Sequence, residues 1–195
     1  WRYCLWISTA DLPDALAIKP IRERVEIVRG HRTQSSRATT QELAKTPHLF
    51  GEIRHSDGLA LAVPCHSAED RPYLPFALID GDTIVDNSAI RLPDHKMFEI
   101  ALYASRLHLV WIATVCGKLE TRYRYSNTLG WNTFPVPLLT EQNKIDLTRS
   151  AEAILLAREA HFPATIADLY DPDTMPENLR AAHAHNDEVL ERIYI

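Results

Sequence analysis

Met97-Phe98-Glu99-Ile100-Ala101-Leu102-Tyr103-Ala104-Ser105-Arg106-Leu107-His108-Leu109-Val110-Trp111-Ile112-Ala113-Thr114-Val115-Cys116 is the stretch on which the fold class turns. It reads as helix, with Ser105 interrupting it and capping its second half. Its longest apolar run, Leu107–Cys116, includes His108 and is too short to span a bilayer. Directly downstream the pattern changes. Arg122–Ser126 and Gly130–Phe134 read as a strand pair around Asn127, ended by Pro135 and Pro137.

Upstream, Tyr3–Ser8 reads as a short strand. Pro20 suits a first helical residue, where its missing N–H costs nothing. From it, Ile21, Val25 and Val28 make an apolar stripe with Arg22, Arg24, Arg29 and Arg32 around it, and Gly30 weakens the end. Thr39-x-x-Glu42 reads as a capping box for a short helix ending near Pro47. Leu59–Val63, Tyr73–Ile79 and Thr83–Asp86 read as strands. After Leu139 only helix is expected. Leu147, Ala151, Ile154, Leu155 and Phe162 form one stripe, and Pro176, Leu179, Ala182, His183, Asn186, Leu190 and Ile193 a second. No internal repeat is visible. The order predicts an α+β fold: a mixed helix/strand domain over 1–138, then a helical C-terminal subdomain over 139–195.

With 46% apolar and 24% charged residues and 6 Gly among 195, the composition excludes collagen-like, low-complexity and wholly disordered chains. Three cysteines, far apart and in no C-x-x-C pair, argue against a disulfide framework or zinc site and for a reducing, cytoplasmic setting. No signal peptide is visible, no membrane association is expected, and Trp1-Arg2-Tyr3 without an initiator Met reads as the cut edge of a longer protein.

The net charge of −5 argues against a generally basic nucleic-acid binder, but it is unevenly spread. Residues 1–138 hold 16 Lys and Arg against 15 Asp and Glu, whereas residues 139–195 hold 5 against 11. Twelve of those 16 are Arg, whose fixed fork of donors matches phosphate and the guanine edge. A solvated mixed-charge surface explains the charges equally well.

Catalytic signatures are missing. There is no G-x-S-x-G, P-loop, G-x-G-x-x-G or H-E-x-x-H. His183-x-His185 with Asp187 has metal-ligand residue types, but helix neighbours two apart face different ways, so His183 reads as a satisfied buried residue. Glu69-Asp70 beside Arg71 could form an acid cluster, but a turn between two strands explains it as well. Cys65 and His66 are adjacent and would point to opposite faces. Arg122-Tyr123-Arg124-Tyr125-Ser126-Asn127 is more informative. Alternation sets Arg122 and Arg124 on one face, where with Ser126 and Asn127 they could hold phosphates and read base edges. An edge strand with a solvated Arg face is the competing reading.

Four ordered segments resemble the C-terminal part of the MmeI-type (type IIL) restriction-modification enzymes. The first is Trp1-Arg2-Tyr3-Cys4-Leu5-Trp6-Ile7. The second runs from Val63-Pro64 through Ser67, Glu69, Arg71, Tyr73 and Pro75, similar to "vP-x-x-SSE-R-x-Y-x-P". The third is Ser105-Arg106-Leu107-His108 through Trp111, then Arg124-Tyr125-Ser126 and Trp131-Asn132-Thr133-Phe134-Pro135-Val136-Pro137, with Trp131 and Val136 departing from the family's Tyr and Trp. The fourth is Leu169-Tyr170-Asp171-Pro172, Thr174-Met175-Pro176, Leu179-Arg180, Ala182-His183, Asp187 and Tyr194.

The resemblance implies a DNA target recognition domain over 1–138 and a helical region packed on it over 139–195. Its partners would be double-stranded DNA and an upstream methyltransferase domain of the same chain. The parent would be an S-adenosylmethionine-dependent DNA-adenine methyltransferase, with or without a nuclease. The cofactor site would lie upstream, so this piece is expected to be inactive and free of cofactor and metal. An adenine methyltransferase must extrude its base, so a separate element has to grip the duplex. The implied contacts are Arg71, Arg106, Arg122, Arg124, Ser126 and Asn127, with Arg22, Arg29 and Arg32 flanking. Arg106 could instead brace the fold. The alternative class is a non-catalytic interaction domain docking another subunit through its acidic helical tail.

Overall fold

The computed structural model describes residues 3–55 and 57–195; Trp1 and Arg2, which open the first resemblance segment, lie outside the described residues. The chain forms two compact units, Trp1–Arg54 and His55–Ile195.

The first unit contains α1 (Leu12–Ala17), α2 (Lys19–Thr33), α3 (Ala38–Glu42) and a 3-10 turn, Leu43–Lys45. Pro20 sits in the first turn of α2, as its fixed φ favours. Val25 is the buried member of the α2 stripe, while Val28 is exposed. Two readings are corrected. Tyr3–Ser8 is irregular, since the described residues of this unit offer only helices and no ladder to join. Thr39 lies inside α3 rather than capping it. The turn before α3 is closed earlier by Ser35, whose hydroxyl accepts the Arg37 N–H at 3.2 Å.

In the second unit, β1 (Ala60–Pro64) lies between β3 (Ala77–Ile79) and β4 (Ala89–Pro93), antiparallel to both. Leu61 registers with Leu78 on one side and Leu92 on the other. The expected strand Tyr73–Ile79 shrinks to its last three residues, because Pro72 and Pro75 cannot donate to a ladder. Thr83–Asp86 forms no strand; the strand follows at Ala89–Pro93. Aspartates turn the chain instead. Asp80 Oδ1 accepts from the Asp82 N–H and the Thr83 hydroxyl, and Asp86 Oδ1 accepts from the Ser88 N–H at 2.8 Å.

A second antiparallel sheet has the order β2 (His66–Ser67), β6 (Arg122–Arg124), β5 (Lys118–Leu119). Before it come α4 (Met97–Tyr103) and α5 (Arg106–Val115), broken where the cap chemistry indicated. Ser105 Oγ accepts the His108 N–H at 3.0 Å and donates to Leu102 O at 2.7 Å. Gly130–Phe134 is not a strand. Asn127–Trp131 form a π-type turn, with Gly130 N–H donating to Ser126 O at 2.6 Å. Packing decides this. The Trp131 ring stacks on Tyr103 at 3.9 Å and 8°, and a Cβ on Gly130 would lie 3.3 Å from the Tyr125 ring.

The rest is α6 (Glu141–Glu159), α7 (Ile166–Leu169) and α8 (Glu177–Tyr194). Helix α4 packs on α6, and α6 on α8. One core holds Leu61, Phe76, Ile100, Tyr103, Ile112, Leu147, Ile154, Leu179 and Leu190, so strand-rich and helical segments share it. Phe162 is exposed, because α6 has already ended at Glu159. The mixed α+β class stands. Among the described residues no single helix is long and apolar enough to cross a membrane.

A linked set of polar groups inside this core is paired, although the Tyr103 hydroxyl, His108 Nδ1 and Asn186 Oδ1 are buried without a partner. His183 is fully buried, with Nδ1 2.9 Å from Ala104 O and Nε2 2.7 Å from the Tyr170 hydroxyl. A carbonyl only accepts, so Nδ1 carries the proton and Nε2 accepts from Tyr170. Arg158 donates to the Tyr170 oxygen through Nε at 2.8 Å and to Phe76 O at 3.0 Å. Asn186 Nδ2 donates to Ala101 O at 2.8 Å.

Burial pushes the imidazoles of His183 and His108 down to about 3. Both fold as neutral rings, whereas an unfolded histidine titrates near pH ~6.5. Their contribution to stability is therefore complete above that value and lost as pH falls toward 3. Urea unfolding across this window should show steep acid destabilisation. His183→Ala should strand the Ala104 carbonyl and Tyr170 hydroxyl, lower stability by about 1–3 kcal/mol at pH 7, and flatten the acid limb. Unchanged stability at pH 7 contradicts the assignment.

Candidate nucleic-acid interface

The short β2-β6-β5 sheet carries the two arginines that alternation had set on one face. Along β6, Arg122 and Arg124 are exposed while Tyr123 is half-buried, and Tyr125 beyond the strand is buried. Register places Leu119 opposite Arg122 and His66 opposite Arg124. Directly opposed side chains share a face, so Leu119, Arg122, Arg124 and His66 form one outward row. Tyr123 lies behind it, with Lys118 Nζ 5.3 Å from the ring centroid.

Ion pairs modulate this row. Arg122 binds Glu120 at 2.9 Å across the hairpin turn, where Glu120 adopts a left-handed φ of +58° that few non-glycine residues take. Lys118 is tied to Glu69 at 2.7 Å, and that hydrogen bond holds its amine above the ordinary lysine range. Among the described residues Arg124 has no ion-pair partner and presents a free guanidinium.

The other candidates fall in different places. Arg71 is half-buried and donates to Ala167 O at 3.2 Å, in a groove that it lines with His66 and Ser67. It therefore neighbours the sheet through β2. Arg106 lines another hollow with Tyr73 and Asp187. Its backbone N–H donates to Asp187 Oδ1 at 2.8 Å, Tyr73 donates its hydroxyl to Oδ2 at 2.9 Å, and its guanidinium lies 5.4 Å from the Tyr73 centroid. Burial raises the Asp187 carboxyl, and burial with the neighbouring Asp187 charge pushes the Tyr73 phenol up to about 12. Arg106 thus sits in a clasp between α5 and α8. The structure brings together Arg71, Arg122 and Arg124 but sets Arg106 in a separate hollow.

Ser126 and Asn127 begin the π-type turn. Ser126 Oγ accepts the Leu129 N–H at 3.4 Å, and Asn127 Oδ1 is buried without a partner. In the first unit, Arg22 is exposed on α2 and Arg29 pairs with Glu26 at 3.0 Å. Arg32 is used inside its own unit. Its guanidinium donates to Leu43 O at 2.9 Å, Thr46 O at 3.0 Å and Leu49 O at 2.9 Å.

Residues 1–138 match the family described as MmeI, target recognition domain, and residues 139–195 that described as MmeI, C-terminal domain. The chain belongs to the MmeI family. It is similar to DNA methyltransferase A of Bacillus subtilis (strain 168), 37% identical over 193 residues, which are 99% of this chain and 22% of that protein. It is also similar to a chain solved as the type IIL restriction-modification enzyme MmeI in complex with DNA. There the identity is 34% and the TM-score 0.95, covering 98% of this chain and 26% of that one. The chain therefore spans about a quarter or less of the length of these relatives.

Two residues of this MmeI-family chain escaped the sequence reading. In the sequence His66 stands out only beside Cys65, and Ser67 only within a matched segment. Their placement beside Arg124 and Arg71 depends on the pairing of β2 with β6, strands more than fifty residues apart in sequence. A histidine opposite an arginine has no local signature.

The bonds of Arg32 generate a test. Arg32→Ala should destabilise the first unit by about 1–3 kcal/mol, since three carbonyls lose their donor. The salt dependence of DNA binding should be unchanged. A slope of log K against log salt smaller by about 0.9 shows instead that Arg32 touches phosphate.

Proposed function

We propose that this chain is the double-stranded DNA recognition module of an S-adenosylmethionine-dependent DNA-adenine methyltransferase or bifunctional restriction-modification enzyme. Residues 1–138 would act as target recognition domain and 139–195 as the helical region packed on it. The observation that carries the reading is the likeness, at TM-score 0.95, to an MmeI chain whose structure was solved with DNA. The outward Arg122 and Arg124 on a scaffold anchored in the core supply a fitting chemistry. Arginine can clamp a phosphate or bond bidentately to guanine, and the inward tyrosines fix the direction from which it does so.

Catalysis and cofactor belong elsewhere in this reading. No Asn-Pro-Pro-aromatic segment occurs in the sequence. The half-buried carboxylate of the larger hollow, Asp187, has both oxygens taken by Arg106 and Tyr73. In this reading S-adenosylmethionine would sit on an upstream methyltransferase domain in the cytoplasm, where the duplex is. The division of labour follows from the reaction: reaching adenine N6 requires extruding the base, while the remaining bases are read by a rigid element that stays on the duplex.

Methylation mapping of a host expressing the full-length gene should reveal one modified adenine motif. The 195-residue chain alone, incubated with labelled S-adenosylmethionine and DNA, should transfer no methyl group above background. In the full-length enzyme, Arg122→Gln and Arg124→Gln should each do one of two things. A phosphate contact lowers the salt slope by about 0.9; a base contact costs about 1–3 kcal/mol at one position of the motif. Unchanged affinity and slope in both variants would place the DNA face elsewhere.

A further inference from the structure

We infer that the groove between β2 and α7 is a binding site for one backbone phosphodiester of the DNA, with Ser67 and Arg71 as its donors and the outward-facing His66 at its rim. The inference rests on reading the chain as a DNA-recognition module and adds which chemical group this corner of it takes.

Three observations converge. Ser67 is 6% exposed, and its Oγ is buried without a hydrogen-bond partner. A buried hydroxyl left unpaired costs stability, and such groups are rare unless water, an ion or a ligand completes them. Second, the groove holding Ser67 has a volume of about 340 Å³ and is also lined by Arg71, His66 and Ala68 among apolar neighbours. A guanidinium has five N–H donors, and Arg71 commits one of them, at 3.2 Å to Ala167 O. That single bond holds the side chain in the groove and leaves the rest of the fork for an incoming oxyanion. Third, the nearby acids do not oppose an anion there. Neither Glu69 nor Asp70 lines the groove, and Glu69 is neutralised by Lys118 at 2.7 Å.

The ligand class follows from the donors. Hydroxyl, guanidinium and imidazole all offer hydrogens, and no side-chain carboxylate or amide lines the groove to accept the amino group of a base. A phosphate oxygen fits this set, whereas a guanine edge, whose O6 and N7 also accept, would show itself as an altered sequence preference in Arg71→Gln. His66 is opposite Arg124 in register, so the rim of the groove borders the outward row of β6, while Ser67, opposite Tyr123, lies deeper in it. A strand of DNA lying on Arg122 and Arg124 would carry a phosphate past His66 into it. The site would then fix the register of the duplex while the sheet face reads it.

The test uses the full-length enzyme and a duplex carrying its mapped site. Ser67→Ala, His66→Gln and Arg71→Gln are compared with Arg122→Gln and Arg124→Gln in binding across a salt series. Single phosphates are also replaced by neutral methylphosphonates. Ser67→Ala should keep or raise the thermal midpoint, because its hydroxyl has no partner to lose, and yet bind about tenfold more weakly. Arg71→Gln should reduce the salt slope by about 0.9. Cognate and non-cognate DNA should weaken equally in all three groove variants. The one methylphosphonate that weakens the wild type at this site should add nothing to Arg71→Gln. Unchanged binding in the groove variants, with Arg122→Gln or Arg124→Gln impaired, overturns the phosphate site and leaves the DNA reading standing. Unchanged binding in all five overturns the phosphate site and places the DNA face elsewhere on the molecule. A lower thermal midpoint in Ser67→Ala, or an altered sequence preference in Arg71→Gln, overturns the site as well.

Discussion

The break in the helix at Ser105 is the constraint around which the larger unit is organised. Ending α4 and restarting α5 leaves the Ala101 and Ala104 carbonyls in a region closed to water, where unpaired acceptors are costly. Helix α8 answers with Asn186 and His183, three residues apart on one face and each bonded to one of those carbonyls. His183 can do this only as a neutral ring with its proton on Nδ1, and the Tyr170 hydroxyl, itself held by Arg158, supplies the matching donor for Nε2. Through Arg158 and Phe76 O the same chain of bonds reaches the segment leading into β3. The C-terminal helices therefore complete the hydrogen bonding of the preceding segments as well as covering them.

This arrangement decides how firmly the outward arginines are held. The β2-β6-β5 sheet is only two or three residues long in each strand, too little to stand by itself. Its rigidity comes from behind. Tyr125 lies buried beside His108, with Nε2 3.4 Å from its hydroxyl, and Tyr103 faces Trp131 in a close stack. Both partners of Tyr125 and Trp131 come from the α4–α5 pair. The direction in which Arg122 and Arg124 project is thus inherited from the broken helix.

What was legible in the sequence was whatever is decided locally. The serine cap at Ser105, the proline in the first turn of α2, the alternation of Arg122-Tyr123-Arg124-Tyr125 and the helical stripes after Leu139 all depend on neighbours within a turn or a strand. The failures are equally physical. The aspartate turns at Asp80 and Asp86 displaced a strand to Ala89–Pro93, and the stacking of Trp131 on Tyr103 curled Gly130–Phe134 into a turn that its composition does not announce. At the site, the arginine types and the strand were visible. The separation of Arg106 from the other arginines was not, because it depends on Asp187, 81 positions away. Nor was the company of Ser67, which depends on α7 closing one side of its groove.

A surface built this way separates what folds the protein from what it displays. The inward residues Tyr123 and Tyr125 belong to or pack against the core, whereas Leu119, Arg122 and Arg124 face solvent and contribute little to it. Exchanging an outward side chain alters what is presented with small effect on the scaffold, since exposed substitutions away from buried networks cost little. The sheet can accordingly drift through many outward sequences while its fold persists. A single outward replacement then changes the displayed surface with no loss of stability to be repaired first.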